Sequence, residues 1–163
     1  TEERYRQVVR FKTAKLFEAA ASAGALLADA TAEQRAAASK YGRHLGTAFQ
    51  LIDDLLDYSG NAATLGKTVG DDLREGKPTL PLLRVLSVGD EAQKALIRTA
   101  IATGEGDFEA VAQAIQQTDA REHTRQAAEA EIELAIEATL SLPDNEIRAV
   151  LQKVAGMSLR RDN

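Results

Sequence analysis

Three aspartates, Asp53, Asp54 and Asp57, close the segment Gly-Thr-Ala-Phe-Gln-Leu-Ile-Asp-Asp-Leu-Leu-Asp-Tyr at residues 46–58. On a helix turning by ~100° per residue, Gly46, Gln50, Asp53, Asp54 and Asp57 share one polar arc of about 100°. Ala48, Phe49, Ile52, Leu55 and Leu56 take the opposite side. Neighbouring carboxylates on such an arc repel by ~0.2–0.5 kcal/mol per exposed pair. Hard divalent cations relieve that repulsion through oxygen ligands. Mg²⁺ held by one or two carboxylates plus substrate phosphates suits the pattern best. A solvated helix face is the competing reading. The narrowness of the arc, its lack of Lys and Arg at the centre, and the presence of Gln50 weigh for ligand binding.

A second group lies near the start. Lys12 follows Val8 and Val9 by one turn and precedes Leu16 by one turn, so it interrupts an apolar stripe beside Thr13. Burying an ammonium without a partner is expensive. Lys12 therefore either snorkels to water or meets an anion, which it could share with the acidic arc as a common phosphate.

Residues 60–78 carry Gly60, Gly66, Gly70 and Gly76, together with Lys67, Asp71, Asp72, Lys77 and Pro78, and show no helical stripe. A loop of that length inside a helical domain is more often functional than idle. Glycines let backbone amides approach a phosphate, and Lys67 and Lys77 supply positive charge. The Gly-x-x-x-x-Gly-Lys-Ser/Thr order of a Walker A loop is absent. A plain turn ahead of a helix, with Pro78 in its first turn, is the alternative.

These groups need helices to position them. The apolar spacing predicts helices at roughly 3–28, 32–59, 79–88, 90–103, 107–117, 119–140 and 144–159. Thr31 and Asp90 mark starts with acidic first turns. Gly104-Glu105-Gly106 and Pro143-Asp144 separate neighbouring helices. No alternating β-branched run argues for a sheet, and no repeat or linker divides the 163 residues, so a single all-helical domain is expected.

Composition narrows the function. A net charge of −5 with no basic stripe argues against nucleic acid. No run reaches the ~20 apolar residues of a transmembrane helix. The absence of cysteine removes disulfides and thiolate sites and suits a cytoplasmic protein.

Taken together, Tyr5, Val8-Val9 and Lys12-Thr13, then Phe49-Gln50-x-x-Asp53-Asp54-x-x-Asp57, then Gly66-Lys67, Gly70-Asp71-Asp72-Leu73 and Gly76-Lys77-Pro78-Thr79-Leu80-Pro81 resemble the trans-polyprenyl diphosphate synthases. The long-chain bacterial branch is the best match. The likeness spans essentially the whole chain and is looser after residue 90. It implies an all-α helical bundle of the isoprenoid synthase type built around a central cavity, of which this chain is the C-terminal half. It implies a Mg²⁺-dependent prenyltransferase that joins isopentenyl diphosphate to an allylic diphosphate, and a homodimer.

By the same resemblance, Asp53, Asp54 and Asp57 form the second of two aspartate-rich motifs and hold metal, supported by Asp72. Lys12, Thr13 and Gln50 contact the allylic diphosphate and, with Asp53, carry the catalysis. Lys67 and Lys77 add charge to the diphosphate site. Phe11, Phe49 and Tyr58 are aromatics available to wall an allylic cation from water. Asp-Asp-x-x-Asp at this position favours chain elongation over cyclisation, and quinone side-chain supply is the implied role.

The first aspartate-rich motif with its Arg-Arg pair is missing. The other Asp-Asp is Asp71-Asp72, and the Arg-Arg is Arg160-Arg161. A start in mid-helix without Met leads to the expectation of a fragment that is inactive alone and partners a missing N-terminal half. A non-catalytic partner subunit of a heteromeric synthase, or a helical interaction module, is the alternative.

Overall fold

Alanine- and leucine-rich segments with polar caps become helices, and no strand occurs among the described residues. A computed structural model describes residues 1–58 and 70–162, with the backbone alone at 161 and 162. In chain order the elements are α1 (Glu2–Val9), a π-helical turn (Arg10–Ala14), α2 (Lys15–Leu27), α3 (Ala32–Leu56) and α4 (Asp71–Arg74). There follow α5 (Leu80–Val88), α6 (Glu91–Thr103), α7 (Phe108–Gln117) and α8 (Ala120–Ala138). A 3₁₀ turn (Thr139–Ser141), α9 (Glu146–Ser158) and a 3₁₀ turn (Leu159–Asp162) complete the chain. No helix among the described residues is long and apolar enough to cross a membrane.

The caps explain most of the boundaries. Thr31 and Gln34 satisfy each other's backbone N–H groups ahead of α3, and Asp90 and Gln93 do the same ahead of α6. Each is a capping box, which satisfies two orphan donors reciprocally. Asp107 accepts from the amides of Glu109 and Ala110 at the start of α7. The last long helix is capped by Asn145, which accepts from the Arg148 amide, so it begins at Glu146, two residues later than the expected 144.

Other features also differ from the periodicity. The helix expected over 3–28 contains the π-helical turn at Arg10–Ala14, where an extra residue enters the turn and rotates the following side chains. Helix α3 stops at Leu56 instead of 59. The glycine-rich stretch contains the helical turn α4, while Pro78 falls before the Thr79 cap and Pro81 takes the first turn of α5.

The chain groups into two compact units. The first comprises Thr1–Tyr5 and Asp53–Gln126, and the second Arg6–Ile52 and Ala127–Arg161, with α3 supplying residues to both. The core of the first unit holds Tyr58, Leu73, Leu82, Val85, Ile97 and Val111. In the second unit Tyr41, Leu45, Ala48, Ile132, Ala135 and Ala155 form a buried cluster.

Close approach of α2 and α3 within the second unit depends on two glycines four residues apart. A Cβ on Gly42 would stand 2.4 Å from the Phe17 carbonyl oxygen, and one on Gly46 would stand 2.7 Å from Ala14 Cα. Gly46 is thus a helix-contact residue and not part of a solvated polar face.

Candidate functional site

In the second unit, the glycine contact between α2 and α3 accompanies a contact of the π-helical turn with α3 at Gln50. Thr13 donates its hydroxyl hydrogen to Gln50 Oε1 at 2.6 Å. Lys12 lies on the same turn but is exposed, as are Phe11 (72%) and Leu16 (74%). The apolar stripe that made Lys12 look buried is therefore not a buried stripe in this chain. Val9 is buried and Val8 is exposed, as adjacent positions about 100° apart on one helix can be. Phe17 and Phe49 pack with ring centroids 5.4 Å apart, so Phe49 sits in an aromatic pair.

In the first unit, the three aspartates have different surroundings. Asp53 is half-buried. Asp54 is 3% exposed, and the Tyr5 phenol donates to its Oδ2 at 2.5 Å. The polar arc expected from helical spacing thus carries one carboxylate that is covered by α1. Tyr5 is the residue that local spacing missed as a partner: it lies 49 positions from Asp54.

Asp57 turns toward the glycine-rich segment. Its Oδ1 accepts from the Asp71 amide at 3.2 Å, and its Oδ2 accepts from the Asp72 amide at 3.0 Å. Its backbone carbonyl accepts from the Gly70 amide at 3.0 Å. Burial raises the Asp57 carboxyl above the usual range. The two amide donors act against that rise, whereas the Asp72 and Asp71 charges add to it.

Farther along, Lys77 Nζ pairs with Asp72 Oδ1 at 2.8 Å and with Glu75 Oε2 at 2.6 Å. Hydrogen bonds to these two carboxylates hold the Lys77 ammonium above its ordinary pKa. Tyr58 accepts from the Thr79 hydroxyl at 3.2 Å and stacks on Phe108 with centroids 6.4 Å apart. Tyr58 is thereby a core residue of this unit. Gly66 and Lys67 lie outside the described residues.

The structure therefore joins Thr13 to Gln50, Asp57 to Asp71 and Asp72, and Asp72 to Lys77. Among the described residues no group of three or more His, Asp or Glu side chains converges to cage a metal. The donors present are hard carboxylate oxygens. They fit Mg²⁺ in the mode that uses one or two carboxylates and leaves the remaining positions to phosphate and water.

The class this fold and site define is that of the solved polyprenyl diphosphate synthases it matches. The chain matches the structure of a decaprenyl diphosphate synthase from Rhodobacter capsulatus with a TM-score of 0.91 and 37% identity. It matches a polyprenyl synthase from Caulobacter crescentus CB15, complexed with calcium and isoprenyl diphosphate, with a TM-score of 0.93 and 36% identity. Each comparison covers 100% of this chain and 51% of the solved one.

The Polyprenyl synthetase family model matches residues 1–118, and the chain belongs to that family. It is 50% identical over 164 aligned positions to octaprenyl diphosphate synthase from Escherichia coli (strain K12), covering 99% of this chain and 51% of that protein. The chain thus spans about half the length of the curated relatives it matches.

Proposed function

We propose that this chain supplies metal- and diphosphate-binding residues of a prenyltransferase that condenses isopentenyl diphosphate with an allylic diphosphate to give a long-chain all-trans polyprenyl diphosphate. The observation that carries the reading is Asp53-Asp54-x-x-Asp57 at the end of α3, one turn after Gln50, in a chain half-identical to an octaprenyl diphosphate synthase.

Asp53, Asp54, Asp57 and Asp72 are the carboxylates assigned to the metal region, with Asp53 the principal ligand. Lys12, Thr13 and Gln50 bind and orient the allylic diphosphate. Lys67 and Lys77 add positive charge to the same group, and Lys77 would exchange part of its pairing with Asp72 and Glu75 for phosphate oxygens. When bound, Mg²⁺ would supply charge stabilisation for the departing diphosphate. Preorganised donors aimed at that developing charge add to it. The calcium and isoprenyl diphosphate named for the Caulobacter crescentus neighbour support a divalent cation and a diphosphate as ligands.

Homodimeric assembly, a cytoplasmic location, quinone side-chain supply and complementation by a segment carrying another aspartate-rich motif belong to the same reading. Turnover is expected only with that segment present.

The test is the melting temperature of the chain with Mg²⁺ and an allylic diphosphate analogue, compared with Mg²⁺ alone and with Asp53→Ala. A ligand at 100 times its dissociation constant stabilises the folded state by ~2.7 kcal/mol. A Mg²⁺-dependent rise that disappears in Asp53→Ala is expected. A rise that survives in the variant, or none even with the complementing segment, overturns the reading.

A further inference from the structure

From its hydrogen bonds we infer that Asp57 is a positioning residue for the turn at 70–77 and not a direct ligand of the metal. The inference rests on the function proposed above and divides the labour within its acidic motif. Both Asp57 carboxylate oxygens accept from backbone, one from Asp71 and one from Asp72, and its carbonyl accepts from Gly70. A side chain that has turned both oxygens to amides on one turn is oriented by that turn. A cation bound through these oxygens would have to share each of them with an amide that already fixes its direction.

The turn so held carries two groups assigned to the diphosphate site. Lys77 donates through its amide to the Asp72 carbonyl at 2.9 Å and pairs through Nζ with the Asp72 carboxylate. Asp72 and Lys77 therefore move as one piece, anchored at its start by Asp57.

The rest of the turn is seated by close contacts that leave little alternative. Gly70 has φ +85°, and a Cβ there would meet Phe108 at 2.9 Å. Gly76 has φ +64° and approaches the Ile101 carbonyl, while Gly104 approaches the Arg74 carbonyl. Tyr58, the residue after Asp57, holds the far end through Thr79. The last two residues of the acidic segment thus fix both ends of the segment that presents Asp72 and Lys77.

Two measurements on the 163-residue chain test this, using Asp57→Ala, Gly70→Ala and their combination. Gly70→Ala disturbs the same turn without touching a carboxylate, so it serves if Asp57→Ala alters more than intended. The first measurement is amide hydrogen exchange over 70–77 without ligand. Asp57→Ala should speed exchange at Asp71 and Asp72 by about ten-fold, and the double variant should be no faster than the faster single variant, because both act on one element. Unchanged exchange in Asp57→Ala overturns the inference.

The second measurement is the Mg²⁺ concentration giving half of the thermal shift induced by inorganic pyrophosphate. Asp57→Ala and Gly70→Ala should both weaken pyrophosphate binding and leave the Mg²⁺ midpoint in place, whereas Asp53→Ala should raise it. A raised midpoint in Asp57→Ala with none in Gly70→Ala would make Asp57 a ligand and overturn the inference. If the unmodified chain ignores pyrophosphate at every Mg²⁺ concentration, the proposed function fails, and the exchange measurement alone decides the role of Asp57.

Discussion

Thr13 Oγ1 stands 2.6 Å from Gln50 Oε1 and donates to it, joining the π-helical turn to α3 within one unit. Both residues belong to the proposed diphosphate site. The bond fixes the direction of the Gln50 carboxamide through its oxygen.

Thr13→Val keeps the branched shape and removes the donor. It should lower stability by about 1 kcal/mol, the usual net worth of such a bond. Diphosphate affinity should fall with it. Urea denaturation and the analogue-dependent melting shift measure the two effects; an unchanged affinity would show that the bond is structural only.

Gly46→Ala should destabilise the second unit. The new Cβ would lie 2.7 Å from Ala14 Cα and 2.9 Å from the Phe17 side chain, a clash with backbone that does not swing aside. Overpacking of this kind costs about 1–3 kcal/mol, against a gain of about 1 kcal/mol in helix propensity. A melting temperature at or above that of the parent chain would contradict the close approach of α2 and α3.

Tyr5→Phe deletes one hydroxyl and keeps the buried ring. Hydrogen bonds to charged groups are worth about 1.5–3 kcal/mol, and Asp54 would lose one of its donors at a site 3% exposed. Paired with Asp54→Asn in a double-mutant cycle, the two changes should be clearly non-additive. Additive losses would mean that the contact contributes nothing specific.

Stability should also fall at high pH through Tyr41. Burial pushes its phenol up to about 12, while an unfolded tyrosine titrates near 10. Between those values the folded chain keeps a proton that the unfolded chain has released. The contribution is therefore complete below about pH 10 and is lost progressively as pH rises through 12. Tyr41 also donates to the Leu151 carbonyl at 2.8 Å. Urea midpoints across this range should decline less steeply for Tyr41→Phe; parallel curves would remove Tyr41 as the cause.

The sequence by itself determined the helical class, most helix starts and the residues worth watching. Thr31 and Asp90 are legible as caps because a capping box is closed within four residues, and the acidic segment is legible because its spacing matches a helical turn. The tertiary structure decided what those residues face. Asp54 is covered by Tyr5 from 49 positions away, and Asp57 turns to amides 14 and 15 positions on. Lys12 lies on the π-helical turn and is exposed, which the apolar spacing around it does not reveal. Periodicity and capping are local interactions that a short segment satisfies on its own. Burial and hydrogen-bond partners between distant residues arise only when helices pack, so neither is written in the spacing of any one segment.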